Sequence, residues 1–150
     1  MIMNLSLLGC SHALAWIKSH RLKIPLFSEA VSAGFPSPAQ DYVEKTLDLN
    51  ELCIKRPAAT FFVRVEGESM IQAGIYAGDI LVVDRSVTAE HGDTVIVAIH
   101  GEMTVKELEL RPTVRLVPRN PDYPVIDIPE GAELDIFGVV TNVIRNIRRK

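Results

Sequence analysis

From residue 60 onward the chain is a series of short runs of β-formers broken at close intervals by glycine turns. That spacing leaves room for little besides a sheet of short strands. The runs are TFFVRVE (60–66), DILVVD (79–84), DTVIVAIH (93–100), EMTVKELEL (102–110), TVRLVP (113–118) and ELDIFGVVTNVIR (133–145). Gly78-Asp79 and Gly92-Asp93 supply turns, and His100-Gly101 predicts a tight hairpin between the third and fourth runs. Six or so such strands imply a mostly β fold, a compact curled sheet or half-barrel. Asp79 and Asp93 read as turn residues rather than acid catalysts, and His91 and His100 as turn residues beside glycines.

The first 58 residues follow another pattern. The stretch IPLFSEAVSAGFPSPAQDY (24–42) carries Pro25, Gly34, Pro36 and Pro38, which argue against a long helix, and its strand signals are weak. Residues 11–20 suit a short helix capped by Ser11, and Trp16 is expected to pack against the body of the protein. The plan is thus an extended N-terminal arm over 1–58 and a β domain over 59–150. A chain of 150 residues, 47% of them hydrophobic, is long enough for one such core with an appendage.

Composition removes several classes of function. A net charge of −3, from 16 basic and 19 acidic side chains, gives no general attraction to nucleic acid. The basic cluster Arg145, Arg148, Arg149 and Lys150 reads as a solvated tail. Two cysteines, Cys10 and Cys53, and four scattered histidines make neither a disulfide framework nor a metal site, so a cytoplasmic, metal-free and cofactor-free protein is expected, with Cys53 as a small buried apolar residue. Leu7-Leu8-Gly9-Cys10 has the form of a lipoprotein cleavage box, but no Lys or Arg precedes it and Asn4 and Ser6 interrupt the apolar run. No apolar stretch reaches the ~18 residues of a membrane helix. There is no helix-turn-helix pattern, phosphate loop or propeller repeat.

Two residues carry possible chemistry. Ser69 stands where the first β-run ends, in GESM (67–70), a place where serine commonly closes a turn. Lys106 lies in EMTVKELEL, where alternation puts Thr104, Lys106, Leu108 and Leu110 on one face and Glu107, Glu109 and Arg111 on the other. A lysine that shares a face with leucines either runs its stem along the apolar surface with its head in water, or loses its proton to burial. A neutral lysine amine is a general base, and a serine hydroxyl needs one to become a nucleophile.

GESM followed 37 residues after its serine by the lysine of MTVK (103–106) resembles the LexA/UmuD family of self-cleaving Ser-Lys proteases. Further resemblance lies in AGFPSPAQDYVE (33–44), DLNEL (48–52), HGDTVIVA (91–98), LRPTVRLVP (110–118) and FGVV (137–140), so that it spans about 24–143. The resemblance implies the family's curled sheet, of the LexA C-terminal and signal-peptidase-like type. It implies Ser69 as nucleophile, Lys106 as general base and Ala33-Gly34 as the bond the protein cuts in itself. The family cleaves between a small residue or cysteine and glycine, which Ala33-Gly34 fits. Residues 1–22 find little counterpart.

The resemblance further implies cleavage promoted by a RecA filament on single-stranded DNA. Its product would be a shortened homodimer serving a UmuC-type error-prone translesion polymerase in the DNA-damage (SOS) response. No DNA-binding domain precedes the cleavage site, so a LexA-type repressor and direct sequence-specific DNA binding are not expected. The alternative is a non-cleaving adaptor for the polymerase or the filament. A signal peptidase would share the Ser-Lys logic but needs a membrane anchor.

Overall fold

The computed structural model describes residues 22, 24–27, 34 and 43–148. The expected helix over 11–20, Trp16 and Ala33 lie outside these. The chain divides into two compact units, Met1–Leu52 and Cys53–Lys150.

In the first unit, strand β1 (Ile24–Phe27) pairs antiparallel with β2 (Val43–Leu47), from Ile24 opposite Leu47 to Phe27 opposite Val43. The sequence shows weak strand signals here, and the pairing corrects that reading. Both strands are edges, so Pro25 sits opposite Thr46 without removing a hydrogen bond from a sheet interior. The connection over 28–42 carries Ala33-Gly34, and Gly34 is an exposed bend. A short helix, α1 (Leu49–Cys53), follows β2, capped by Asp48, whose Oδ1 accepts from the Asn50 N–H at 2.9 Å. Cys53 closes that helix as a free thiol, half-buried rather than in the core.

The second unit is one seven-stranded antiparallel sheet. Its strands are β3 (Thr60–Arg64), β4 (Ile80–Asp84), β5 (Thr94–Ile99), β6 (Glu102–Glu109), β7 (Arg115–Val117), β8 (Ile126–Asp127) and β9 (Ile136–Ile144). They lie in the order β3-β4-β9-β5-β6-β7-β8. The β5–β6 hairpin turns at His100 and Gly101, whose φ values of 51° and 80° are those of a two-residue type I′ turn. The two-residue strand β8 was not evident in the sequence, because Pro121, Pro124 and Pro129 around it mask any alternation.

Apolar side chains gather in two clusters. Val65, Met70, Ile75, Leu81, Val83 and Ile96 form one. Val95, Val97, Leu108, Leu116 and Val139 form the other. Neighbours along β5 therefore fall in different clusters, as alternation requires of a strand covered on both faces.

Strand β9 joins the halves by pairing with β4 on one side and β5 on the other. It bulges twice: Thr141 has no opposite number on β4 and Phe137 none on β5. Bulges bend a strand and increase its twist. Gly138, beside the second bulge, lies so close to β4 that a Cβ would stand 2.7 Å from Val83 Cγ1 and 3.1 Å from the Asp84 carbonyl oxygen. The resulting curl brings Val63 of β3 and Met103–Val105 of β6 to one cleft, although three strands separate β3 from β6 in the sheet. Among the described residues the sheet does not close into a barrel, β3 and β8 remaining its two ends.

The terminal basic cluster is not all solvated tail. Asp79 is buried at 1% exposure, its Oδ2 accepting from the Tyr76 N–H at 2.8 Å within its turn. Arg145 donates through Nε to Asp79 Oδ1 at 2.6 Å, reaches the Gly74 carbonyl at 2.7 Å and stacks 4.4 Å from the Tyr76 ring centroid. A buried carboxylate needs a counter-charge, and Arg145 supplies it. The Arg145 hydrogen bond holds the Asp79 carboxyl below its ordinary pKa, against burial, which acts the other way. Asp93 is a turn residue as expected, accepting from the Glu90 N–H at 2.8 Å.

Two stability outcomes follow. Gly138→Ala is expected to lower unfolding stability by about 1–3 kcal/mol, read by urea denaturation, because the new methyl meets the stiff β-branched side chain of fully buried Val83 and the Asp84 backbone, neither of which can easily give way. Arg145→Met lowers the melting temperature by several degrees while Arg148→Met leaves it unchanged, by calorimetry at neutral pH. Because the Asp79 pKa is depressed on folding, the pair's contribution is present above the unfolded carboxyl pKa and disappears as pH falls through the folded one. The gap between Arg145→Met and the parent should therefore close in acid.

Candidate active site

The serine turn forms where β3 ends. Gly67 takes a φ of 79°, which lets the chain leave the strand in a direction that other residues resist. Met70, 2% exposed, anchors the turn in the first cluster, and a single 3-10 turn over Ile71–Ala73 follows it. Ser69 is held between these two points, half-buried, with its side chain on the cleft.

Lys106 comes from the middle of β6, opposite Val95 of β5. It is 7% exposed, beside Leu108 at 1%. The apolar-face reading of Thr104, Lys106 and Leu108 is thus correct, while Leu110, past the strand end, is exposed. The Lys106 Nζ lies 3.4 Å from Ser69 Oγ, 2.9 Å from Thr104 Oγ1 and 3.1 Å from the Val105 carbonyl oxygen. Among the described residues no carboxylate pairs with it. Burial pushes the Lys106 amine below the ordinary lysine range, since an ammonium there has lost water without gaining an anion.

The face expected to be solvent-exposed is instead bridged by arginines. Arg119 donates to Glu107 through Nε at 2.6 Å and through a second guanidinium nitrogen, and Arg115 donates to Glu109 at 3.0 Å. The cleft itself, about 230 Å³, runs between Val63–Gly67 on one side and Met103–Val105 on the other. Among the described residues strand β3 pairs only with β4, and β7 pairs with β6 only over Glu107–Glu109. Each wall thus has one strand edge without a paired strand among the described residues, although the Val105 carbonyl on one of them accepts from Lys106.

Sequence reasoning missed the loop that holds the serine turn. Asn120, 6% exposed, donates from Nδ2 to the Glu68 carbonyl at 2.9 Å, and the Arg119 carbonyl accepts from the Gln72 N–H at 2.9 Å. The one local signal in this stretch is Pro118 and Pro121 flanking Arg119-Asn120, a composition that suits any turn. His91 takes no part: its Nδ1 accepts from the Leu110 N–H at 2.9 Å, away from the cleft.

Residues 25–141 match the family described as peptidase S24-like. Protein ImpA of Shigella flexneri is 56% identical over 124 residues, covering 83% of this chain and 85% of its own. Protein SamA of Salmonella typhimurium is 55% identical over 124 residues, covering 83% and 86%. Protein MucA of Escherichia coli is 52% identical over 120 residues, covering 79% and 82%. A match across most of the chain, with more than half of the aligned residues shared with each of three relatives, shows that the chain belongs to the peptidase S24-like family, among its LexA/UmuD-type members.

Proposed function

We propose that the protein is a self-cleaving serine endopeptidase of the DNA-damage response, with Ser69 as nucleophile, Lys106 as general base and Ala33-Gly34 as the bond cut. The observation that carries this reading is a lysine amine buried with no anion beside it among the described residues, 3.4 Å from a serine hydroxyl at the edge of a cleft.

The chemistry runs in two stages. Neutral Lys106 Nζ takes the Ser69 proton as Oγ bonds to the Ala33 carbonyl carbon, and negative charge develops on the carbonyl oxygen. The adduct collapses as the bond to the Gly34 nitrogen breaks, and that amine leaves with the proton from Lys106. Water, deprotonated by the same lysine, then releases the acyl group from Ser69. The unpaired edges of β3 and β6 favour an extended substrate strand, and a small residue followed by glycine lets that strand enter a narrow cleft.

Family membership supports the rest of the reading. Cleavage is promoted by RecA filaments on single-stranded DNA. The product beginning at Gly34 forms a homodimer and serves a UmuC-type translesion polymerase in the cytoplasm. A non-cleaving adaptor would have no use for a lysine held at this burial. Among the described residues no helix is long and apolar enough to cross a membrane, so nothing there favours a signal peptidase.

Incubation of the purified protein at alkaline pH, or with RecA filaments at neutral pH, should yield a break between Ala33 and Gly34 by mass spectrometry. Ser69→Ala is expected to stay uncut, and Lys106→Ala to slow cleavage by about 10²–10⁴-fold. A Lys106→Ala protein cut at the parental rate would remove the lysine from the mechanism. The base acts only when neutral, so the uncatalysed-by-filament rate should rise with pH and level off. Burial lowers the Lys106 pKa, so the midpoint of that rise should fall below the ordinary lysine value.

A further inference from the structure

We propose that Asn120 is a positioning residue that builds the oxyanion hole, by holding the Glu68 carbonyl so that the Ser69 N–H faces the cleft. This rests on the nucleophile assigned to Ser69 above. The Glu68–Ser69 peptide is trans and planar, so its carbonyl oxygen and its N–H point in opposite directions. Whatever fixes the oxygen also fixes the donor.

The oxygen is fixed on the side away from the cleft. Asn120 Nδ2 donates to it at 2.9 Å, and the Ile71 N–H reaches it at a longer 3.4 Å. Ser69 lines the cleft and Asn120 does not. The Ser69 N–H makes no hydrogen bond among the described residues, which leaves it available to an oxygen in the cleft. A backbone donor held in this way needs no reorientation when charge develops.

The orientation of the amide is set by its other end. Asn120 Oδ1 accepts from the Asp122 N–H at 3.0 Å, and the Asn120 carbonyl accepts from the Tyr123 N–H at 3.1 Å. Rotating the amide by half a turn would set oxygen against oxygen and N–H against N–H, so Nδ2 must face Glu68. The same loop is tied to the lysine strand, because Arg119 is bonded to Glu107, the residue after Lys106. Asn120 therefore acts from a loop braced against both halves of the dyad while touching neither reacting atom.

The test uses the full chain with Asn120→Asp, which keeps the acceptor for Asp122 and loses the donor for Glu68. The plateau rate of self-cleavage at alkaline pH should fall about 10–100-fold, the loss expected for a misaimed oxyanion donor. The pH midpoint, read on Asn120→Ala because that variant adds no charge near the amine, should stay where it is. Labelling of Ser69 by diisopropyl fluorophosphate, whose phosphoryl oxygen needs the same donor, should slow by a similar factor.

Asn120→Ala, which buries no charge, carries the same expectation if the aspartate variant does not fold. A folded variant that cleaves and labels at parental rates would overturn the proposal. So would a loss of rate that appears wholly as a displaced pH midpoint, or the failure of both variants to fold, which would make Asn120 a folding residue. A parent that labels in an Asn120-dependent way yet never cuts itself would instead strike the self-cleavage reading and leave this one standing.

Discussion

Lys106 is surrounded by oxygens that carry no formal charge: the hydroxyls of Thr104 and Ser69 and the carbonyl of Val105. Most lysines removed from water find a carboxylate, and two lie on the same strand within three residues. Alternation turns Glu107 and Glu109 to the opposite face, where Arg119 and Arg115 take up their charge. Had either acid faced the amine, it would have stabilised the ammonium and opposed the lowering of its pKa by burial. The strand therefore does two jobs at once: it buries an amine on one side and, on the other, presents to arginines the acids that would raise its pKa. The lysine owes this setting to the curl of the sheet, which covers both faces of β5 and β6 and brings the serine turn across the cleft.

Much of the β unit was legible because its signals are local. Gly-Asp and His-Gly pairs declare their turns, and Val-Ile runs between them declare buried strands. What stayed hidden depends on partners distant in sequence. Strands β1 and β2 lie 15 residues apart, and each becomes a strand only by meeting the other across a proline-rich connection. Arg145 sits in a basic cluster that looks solvated, yet it finds Asp79, 66 residues earlier. No window along the chain shows that a buried carboxylate is waiting.

The site divides in the same way. Ser69 and Lys106 could be singled out because one interrupts a β-run with glycines and the other breaks a strand's polarity, and the family resemblance joined them. Thr104 shared the lysine's face on paper and proves to bond its Nζ. Asn120 left no such trace, since an asparagine between Arg119 and Pro121 is what any turn contains. Its meaning lies in a hydrogen bond to a backbone oxygen 52 residues away, and backbone acceptors are invisible to a reading of side chains.

The last strand of the sheet, β9, occupies a central place in it. During synthesis β3 and β4 can pair as soon as both leave the ribosome, and β5 and β6 can form their hairpin soon after. The two pairs have no common neighbour until Ile136–Ile144 emerges and inserts between β4 and β5. The serine belongs to the first pair and the lysine to the second. Under the self-cleavage proposed above, Ser69 and Lys106 would therefore stay in separate pieces until β9 has joined β4 to β5, and completion of the sheet would be the step that assembles the site.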